Sequence, residues 1–425
     1  MWHHTIGRMS HFFYAYNLRI NHVYSATGVE PDHSGTEIKP DSIRPPGYPL
    51  FLSLFVDGLP DRPMLGKIVI FQAILSALTV VLAFFFFRRF LSEPWTLVAC
   101  FFTAISPHLI VANGYLLTES LFCFLLVSFA WLASSYKKSS PAVMVFLGGL
   151  ILGFAAVVRT SILYFPLGLA LFFLFQFGWR RGLRFFVVLS FGFFLVLAPW
   201  LTRNLILFRG PGDQTLMINF LHHGLYPNFT FDHIAESYGF PYRFDPRSAE
   251  ISRDVVSVLR EICERFRREP IDHVIWFLFG KPAAFWSWNI VQGAGDCFVY
   301  PVAASPYFNN WFFYSTHQLM YFLHWPLVCL GLTAGILVWV PRFCEKLRQP
   351  AVFAARLTSL MLAYFTLLHM VGAPFPRYAV PLRPFLYGMT MLSMQVVATV
   401  AKGFLLSGKS LTTHENSVRE GLELT

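Results

Sequence analysis

Charge is scarce in this sequence. Asp, Glu, Lys and Arg together make up 13% of its 425 residues, about half of the roughly 25% usual in soluble domains. That scarcity excludes an ordinary water-soluble globule of this length. Cysteine is also sparse, with six residues and no metal-like pairing. Cys100, Cys123 and Cys329 lie in apolar runs and Cys344 in a basic loop. A disulfide-stapled scaffold is therefore excluded; only Cys263 and Cys297 share a long polar segment and admit a bridge. Seven histidines, His11, His22, His33, His222, His223, His233 and His273, fall on what is read below as one side. None shows the two-His-plus-Glu spacing of a metal helix. No metal ligand set is assigned, and a divalent metal stays open as a cofactor. No cleavable signal segment is evident at the start, and no motif repeats along the chain, which argues against the duplicated halves common in transporters.

Apolar residues fill the space that charge leaves. The chain is 55% hydrophobic and 18% aromatic, with 48 Phe, a composition suited to lipid contact. A bilayer core of about 30 Å needs about 20 apolar residues as helix. Nine such runs are expected, near residues 67–87, 95–113, 118–136, 142–158, 161–178, 185–206, 317–340, 353–372 and 380–402. The expected fold class is an all-α polytopic membrane protein.

The net charge of +10 fits orientation in a membrane better than nucleic-acid binding. Arg88-Arg89, Lys137-Lys138, Arg180-Arg181 with Arg184, and Arg342 with Lys346 and Arg348 each follow every second run, and Lys402 and Lys409 follow the last. Basic loops stay in the cytoplasm, and all of these fall on one side. The chain then divides into an extracytoplasmic first-loop segment with juxtamembrane or re-entrant helices (1–66), a transmembrane bundle (67–206), an extracytoplasmic loop (207–316), a second bundle (317–402) and a cytoplasmic tail (403–425), whose polar part 406–425 reads as disordered. Alternation puts 1–66 outside with no span before it, an arrangement that a missing first helix, by truncation or a misassigned start, would resolve. Within the long loop, 248–269 reads as a polar helix and 271–290, interrupted by Lys281-Pro282, as an interfacial helix rather than a span. Gly148, Gly149 and Gly153 read as a close helix-packing surface.

Ionisable residues at membrane depth are functional candidates by default. Glu119, Arg159, Arg203, Arg377 and Arg44 all fall at run ends on the extracytoplasmic side. Arginine suits a phosphorylated lipid headgroup because its planar fork grips phosphate oxygens in pairs. A carboxylate beside them suits a general base for an acceptor hydroxyl. Blander readings stand beside these. Arg159 and Arg203 can snorkel from helix ends, Glu119 can complement a helix dipole, and Arg377 can anchor an interface. Arg44 is the strongest single case, because Pro45 and Pro46 stiffen the chain that carries it. A flippase of lipid-linked sugars would also need cations near the bilayer, though preferably at the midplane.

These pieces resemble GT-C-type membrane glycosyltransferases, the group containing protein O-mannosyltransferases and lipid A aminoarabinose transferases. Tyr14-Ala15-Tyr16-Asn17-Leu18 and Val23-Tyr24-Ser25 look like that family's first loop, and Arg44-Pro45-Pro46-Gly47-Tyr48-Pro49 like its basic-Pro-Pro motif. Leu117-Thr118-Glu119-Ser120 resembles its second-loop acidic motif. Gly153-Phe154-Ala155-Ala156 leading to Arg159, Pro199-Trp200-Leu201-Thr202-Arg203-Asn204, and Arg377-Tyr378 with Pro381 and Pro384 complete the order.

The resemblance implies a GT-C-like helical bundle and a polyprenyl-phosphate sugar donor. It also implies a glycan, lipid or protein acceptor, no nucleic acid, and a site facing the periplasm or exterior of a bacterial inner membrane. It assigns Arg44 to the donor phosphate and Glu119 to the second-loop carboxylate; Tyr48, Arg159, Arg203, Arg377 and Tyr378 are the further donor-phosphate candidates. One departure stands out: Ser10 and His11 occupy the place where the family has its catalytic acid. Asp41, Glu37 or Asp32 are the acids available to substitute, with Asp41 the candidate base beside Glu119. A non-catalytic homologue is the remaining alternative.

Overall fold

A computed structural model describes residues 10–27, 38–135, 141–344 and 349–422. Among them no strand occurs, and the β features are two isolated bridges, Phe231 with Ile234 and Gly295 with Phe298. Two short helices, α1 (Ser10–Tyr16) and α2 (Gly47–Ser53), precede the long α3 (Arg62–Phe87). Then come α4 (Glu93–Ile105), α5 (Pro107–Ala112), α6 (Glu119–Ala133), α7 (Pro141–Val158), α8 (Phe165–Phe177) and α9 (Trp179–Phe208). The long loop holds α10 (Thr215–His223), α11 (Ser248–Ile251), α12 (Val255–Arg268), α13 (Pro270–Ile275), α14 (Lys281–Phe285) and α15 (Pro306–Asn309). The chain closes with α16 (Trp311–Leu337), α17 (Pro341–Cys344), α18 (Gln349–Val371) and α19 (Arg383–Leu422).

Helices occupy all nine expected runs, but among the described residues seven are long and apolar enough to cross a membrane. The two that fall short have local causes. The run 95–113 breaks where Ser106 turns extended ahead of Pro107, since a residue before proline is driven out of the helical region. The run 118–136 shortens to the 15 residues of α6. Boundaries elsewhere follow caps: Asp61 accepts from Met64 N at the start of α3, and Asn310 accepts from Phe312 N and Phe313 N at the start of α16. Gly178, at φ 74°, makes the reversal between α8 and α9, a conformation for which glycine has no steric penalty. The chain is an integral membrane protein of all-α class. Large apolar side chains such as Leu171, Phe175, Phe191, Phe322 and Ile336 stay exposed on these helices, as a lipid-facing surface requires.

The other expectations divide. Residues 248–269 form α11 and α12, with Asp254 capping the latter. The 271–290 stretch forms α13, a π turn and α14, which are not among the candidate spans. Cys263 and Cys297 are both free, the first exposed and the second buried, so the expected bridge does not form. The tail is helical through Leu422, where the sequence reads as disordered. Lys137, Lys138, Lys346, Arg348, Glu30, Asp32, His33 and Glu37 lie outside the described residues.

Glycines let α7 and α9 touch along their backbones. A Cβ on Gly149 would fall 2.2 Å from the Leu189 carbonyl oxygen, one on Gly153 2.5 Å from that of Phe193, and one on Gly192 2.5 Å from that of Phe146. The Gly149 and Gly153 expectation therefore holds, as close approach rather than phosphate binding. Gly153→Leu must push the helices apart, and overpacking of this kind costs about 1–3 kcal/mol or more. A lowered thermal midpoint on size-exclusion analysis is expected. Gly66→Leu, where nothing lies within 4 Å of a built Cβ, should leave the midpoint unchanged.

Candidate active site

The site is assembled where helix ends meet. Glu119 is the first residue of α6 and is buried. α7 packs against α6, and directly after its last turn Arg159 adopts an extended backbone that ends the helix. A 3₁₀ segment, Pro376–Leu382, then delivers Arg377 from 258 residues further along the chain. Arg377 Nε donates to Glu119 Oε1 at 2.6 Å and Arg377 Nη2 to Oε2 at 3.5 Å. Arg159 Nη2 lies 3.6 Å from Oε1. The Arg159 guanidinium also sits 4.8 Å from the Tyr378 ring centroid and 5.6 Å from that of Phe122, contacts in which a cation is attracted to the ring face. One carboxylate thus orders two guanidiniums. Arg159 Nη1 is nevertheless buried without a hydrogen-bond partner, a spare charged donor of the kind that calls for a ligand.

The first loop folds onto this cluster. Gly47 opens α2 against the end of α7, where a Cβ would lie 2.7 Å from Val157 C, Val157 O and Val158 N. That contact requires glycine and sets the Arg44–Tyr48 stretch beside Arg159. Tyr48 is fully buried. Its hydroxyl donates to Gln72 Oε1 at 2.8 Å, and Gln72 Nε2 in turn donates to the carbonyls of Asn113 and Tyr115. His11, on α1, packs edge-on to the Tyr48 ring at 5.3 Å. Its Nδ1 is buried and unpartnered. Burial above all, then the charges of Arg44 and Arg377, push the His11 imidazole down to about 3, with Glu119 opposing and Arg159 adding to the effect. His11 is neutral at physiological pH and stands within electrostatic reach of all four of these charges. Among the described residues no carboxylate pairs with the Arg44 guanidinium.

A second group braces the loop from its far side. Asp41 Oδ1 accepts from the Tyr14 hydroxyl and from Ile43 N, and Asp41 Oδ2 from Ala26 N at 2.7 Å. Tyr14 stacks on Tyr24 at 4.5 Å, and the Tyr24 hydroxyl donates to the Arg44 carbonyl at 3.0 Å. Arg203 donates to the Asp41 carbonyl at 3.1 Å and to Asn204 Oδ1 at 2.9 Å, while its guanidinium lies 4.9 Å from the Trp200 ring centroid and 5.3 Å from that of Tyr24.

The expected residues therefore fall into two sets. Glu119, Arg159 and Arg377 form one cluster with Tyr378 against Arg159, and His11, packed on Tyr48, stands within electrostatic reach of that cluster and of Arg44. Asp41 and Arg203 belong to the bracing group, joined to the first set through Arg44. Tyr48 offers a ring and a committed hydroxyl rather than a free donor. His11 carries no site signal by its type; its signal in the sequence is its place, where the resemblance expects an acid. Gln72, which ties Tyr48 to the turn before α6, carries no sequence signal beyond being polar inside an apolar run.

Residues 44–202 match the dolichyl-phosphate-mannose-protein mannosyltransferase family. This agrees with the GT-C-type resemblance of the motifs. The matched stretch contains Arg44, Tyr48, Glu119 and Arg159 and ends one residue before Arg203. His11, Asp41 and Arg377 lie outside it. No curated protein and no solved structure matches the chain.

Proposed function

We propose that this chain is an inverting glycosyltransferase that moves a sugar from a polyprenyl-phosphate donor to a glycan, lipid or protein acceptor at the extracytoplasmic face of a bacterial inner membrane. The observation that carries this reading is the pairing of Arg159 and Arg377 on the buried Glu119, with a neutral His11 within electrostatic reach of this cluster and of Arg44. In the step, an acceptor hydroxyl oxygen bonds to the anomeric carbon. The carbon–oxygen bond to phosphate breaks, and the polyprenyl phosphate leaves with the electron pair. Arg44 and the spare Nη1 of Arg159 meet the charge that grows on that phosphate, a preorganised stabilisation. Glu119 keeps Arg159 and Arg377 in place. His11 Nδ1 takes the acceptor proton as general base, the task that the expected first-loop acid would otherwise perform. Asp41, whose oxygens already serve three donors, fixes the loop. Donor consumption in an assay with lipid-linked sugar tests the reading. Near-normal turnover in both Arg44→Ala and Glu119→Gln would overturn it.

The role of His11 has a pH signature. An imidazole must be neutral to accept a proton, so acid removes the base. In the free enzyme burial and neighbouring arginines hold its pKa near 3. A bound phosphate anion offsets those arginines and raises it. The acid limb of kcat, which reports the complex, is therefore expected at higher pH than that of kcat/KM, which reports the free enzyme. His11→Phe should lower kcat by about 10²–10⁴ and abolish the limb in kcat, and His11→Asp should restore part of the rate. An unchanged pH profile in His11→Phe would exclude the role.

A further inference from the structure

A second cluster of chemistry-bearing groups lies away from the arginines, where the end of the long loop meets α16. A tight turn presents Asp296 and Cys297 next to each other. Gly295 (φ 88°) and Asp296 (φ 51°) both take left-handed backbone, which aspartate tolerates better than most residues. Ile290 N bonds the Asp296 carbonyl at 2.8 Å, and Phe298 N bonds that of Gly295 at 3.0 Å. His317, in the second turn of α16, places Nε2 at 2.7 Å from Asp296 Oδ2, and the Trp288 indole donates to Asp296 Oδ1. The carboxylate, the Cys297 thiol and the His317 imidazole all lie within 4.8 Å of one another. Cys297 is buried and free of any disulfide.

An independent observation points to a ligand here. Tyr307, the second residue of α15, is 95% buried (5% exposed), yet its hydroxyl has no hydrogen-bond partner. Its ring centroid lies 5.9 Å from that of His317, and Cys297 and Asp296 are its titratable neighbours. A buried hydroxyl without a partner is uncommon. A hydrogen-bonded His–Asp pair alone would explain neither the thiol nor the hydroxyl.

We propose that Asp296, Cys297 and His317 bind a zinc ion that fastens the loop to α16. A thiolate, an imidazole and a carboxylate form the mixed donor set that this borderline ion takes. The charges also close: a dication with one thiolate and one carboxylate is neutral, which suits a partly buried site built on a buried thiol. Bond lengths of about 2.0–2.3 Å place donor atoms roughly 3.3–3.8 Å apart around a tetrahedron, so the His317–Asp296 pair, a nitrogen and an oxygen now 2.7 Å apart, opens by about 0.6 Å as zinc enters. The Cys297 thiol proton goes to solvent and the imidazole proton moves to Nδ1, giving one proton released per ion. Water completes the tetrahedron, and the Tyr307 hydroxyl bonds to it. Through its indole bond to Asp296, Trp288 is then held rigidly. That matters because Trp288 forms part of the wall of a cavity of ≈ 730 Å³ that Trp276, Tyr321 and Trp325 also line.

The test needs no sugar-transfer assay and so stands apart from the proposed activity. The full chain, purified in detergent and stripped with chelator, is titrated with Co²⁺ and then Zn²⁺. A thiolate-to-cobalt charge-transfer band is expected, displaced by about one equivalent of Zn²⁺, with a zinc-dependent rise in thermal midpoint. Cys297→Ser should lose the band, and His317→Gln should lower zinc occupancy at least tenfold. Absence of a cobalt band in the wild-type protein, or a band retained in Cys297→Ser, overturns the proposal. The wild-type titration decides the matter even where a variant misfolds.

Discussion

Glu119→Ala is expected to abolish transfer and to lower the thermal midpoint of the purified protein. The carboxylate is buried and holds Arg377 by two bonds and Arg159 by one ion pair. Its removal leaves two guanidiniums of low exposure with no counter-charge, and breaking a buried pair from one side costs about 3–5 kcal/mol. Glu119→Gln keeps the volume and one acceptor oxygen but loses the charge, so its midpoint should fall less while turnover still drops by about 10² or more. The two measurements together separate an anchor from a base. A carboxylate that only accepted a proton would lose turnover in the glutamine variant with no change in midpoint. That result would return Glu119 to the role of base and leave His11 without one. The expected contrast is a fall in both quantities at Glu119 and a fall in turnover alone at His11.

The spans were legible because a bilayer imposes its thickness on the sequence, so apolar runs and the basic residues that punctuate them report helices directly. The break at Ser106-Pro107 was written in the proline but was outweighed by the length of the apolar run around it. The candidate site was legible only as a set of residues on one side. That Glu119 chooses Arg377, 258 positions away, depends on how α6 and the 376–382 turn pack, and no local pattern encodes it. Asp41 and Arg203 illustrate the same limit. Each has the chemistry of a site residue, and each is occupied by backbone and side-chain partners of the first loop that only the folded chain brings near. Asp296, Cys297 and His317 are not legible as a cluster in the sequence for a related reason. Metal motifs are recognised by regular spacing on one element, whereas here a turn and a helix start supply the donors separately.

Arg44→Ala is expected to lower kcat by about 10²–10³, the loss seen when one preorganised donor is removed from a developing anion, and to leave the thermal midpoint unchanged. Both parts follow from its surroundings. Among the described residues no carboxylate holds its guanidinium, and the bond that ties this residue to the loop runs from Tyr24 to its backbone carbonyl, which alanine keeps. The charge is thus available to a ligand and dispensable to the fold, the reverse of Glu119. The division between kcat and KM then tells what the charge does. A cation that only docks the headgroup binds donor and transition state alike, so its loss raises KM and leaves kcat unchanged. One that meets charge building on the departing phosphate lowers kcat. Arg44→Lys should recover only part of the rate, because an ammonium supplies the charge without the two-pronged grip on phosphate oxygens. Pro45 and Pro46, which hold the loop that carries Arg44, predict a further result: Pro46→Gly should reduce kcat while the guanidinium itself is retained, since a cation free to wander no longer meets the leaving group preorganised.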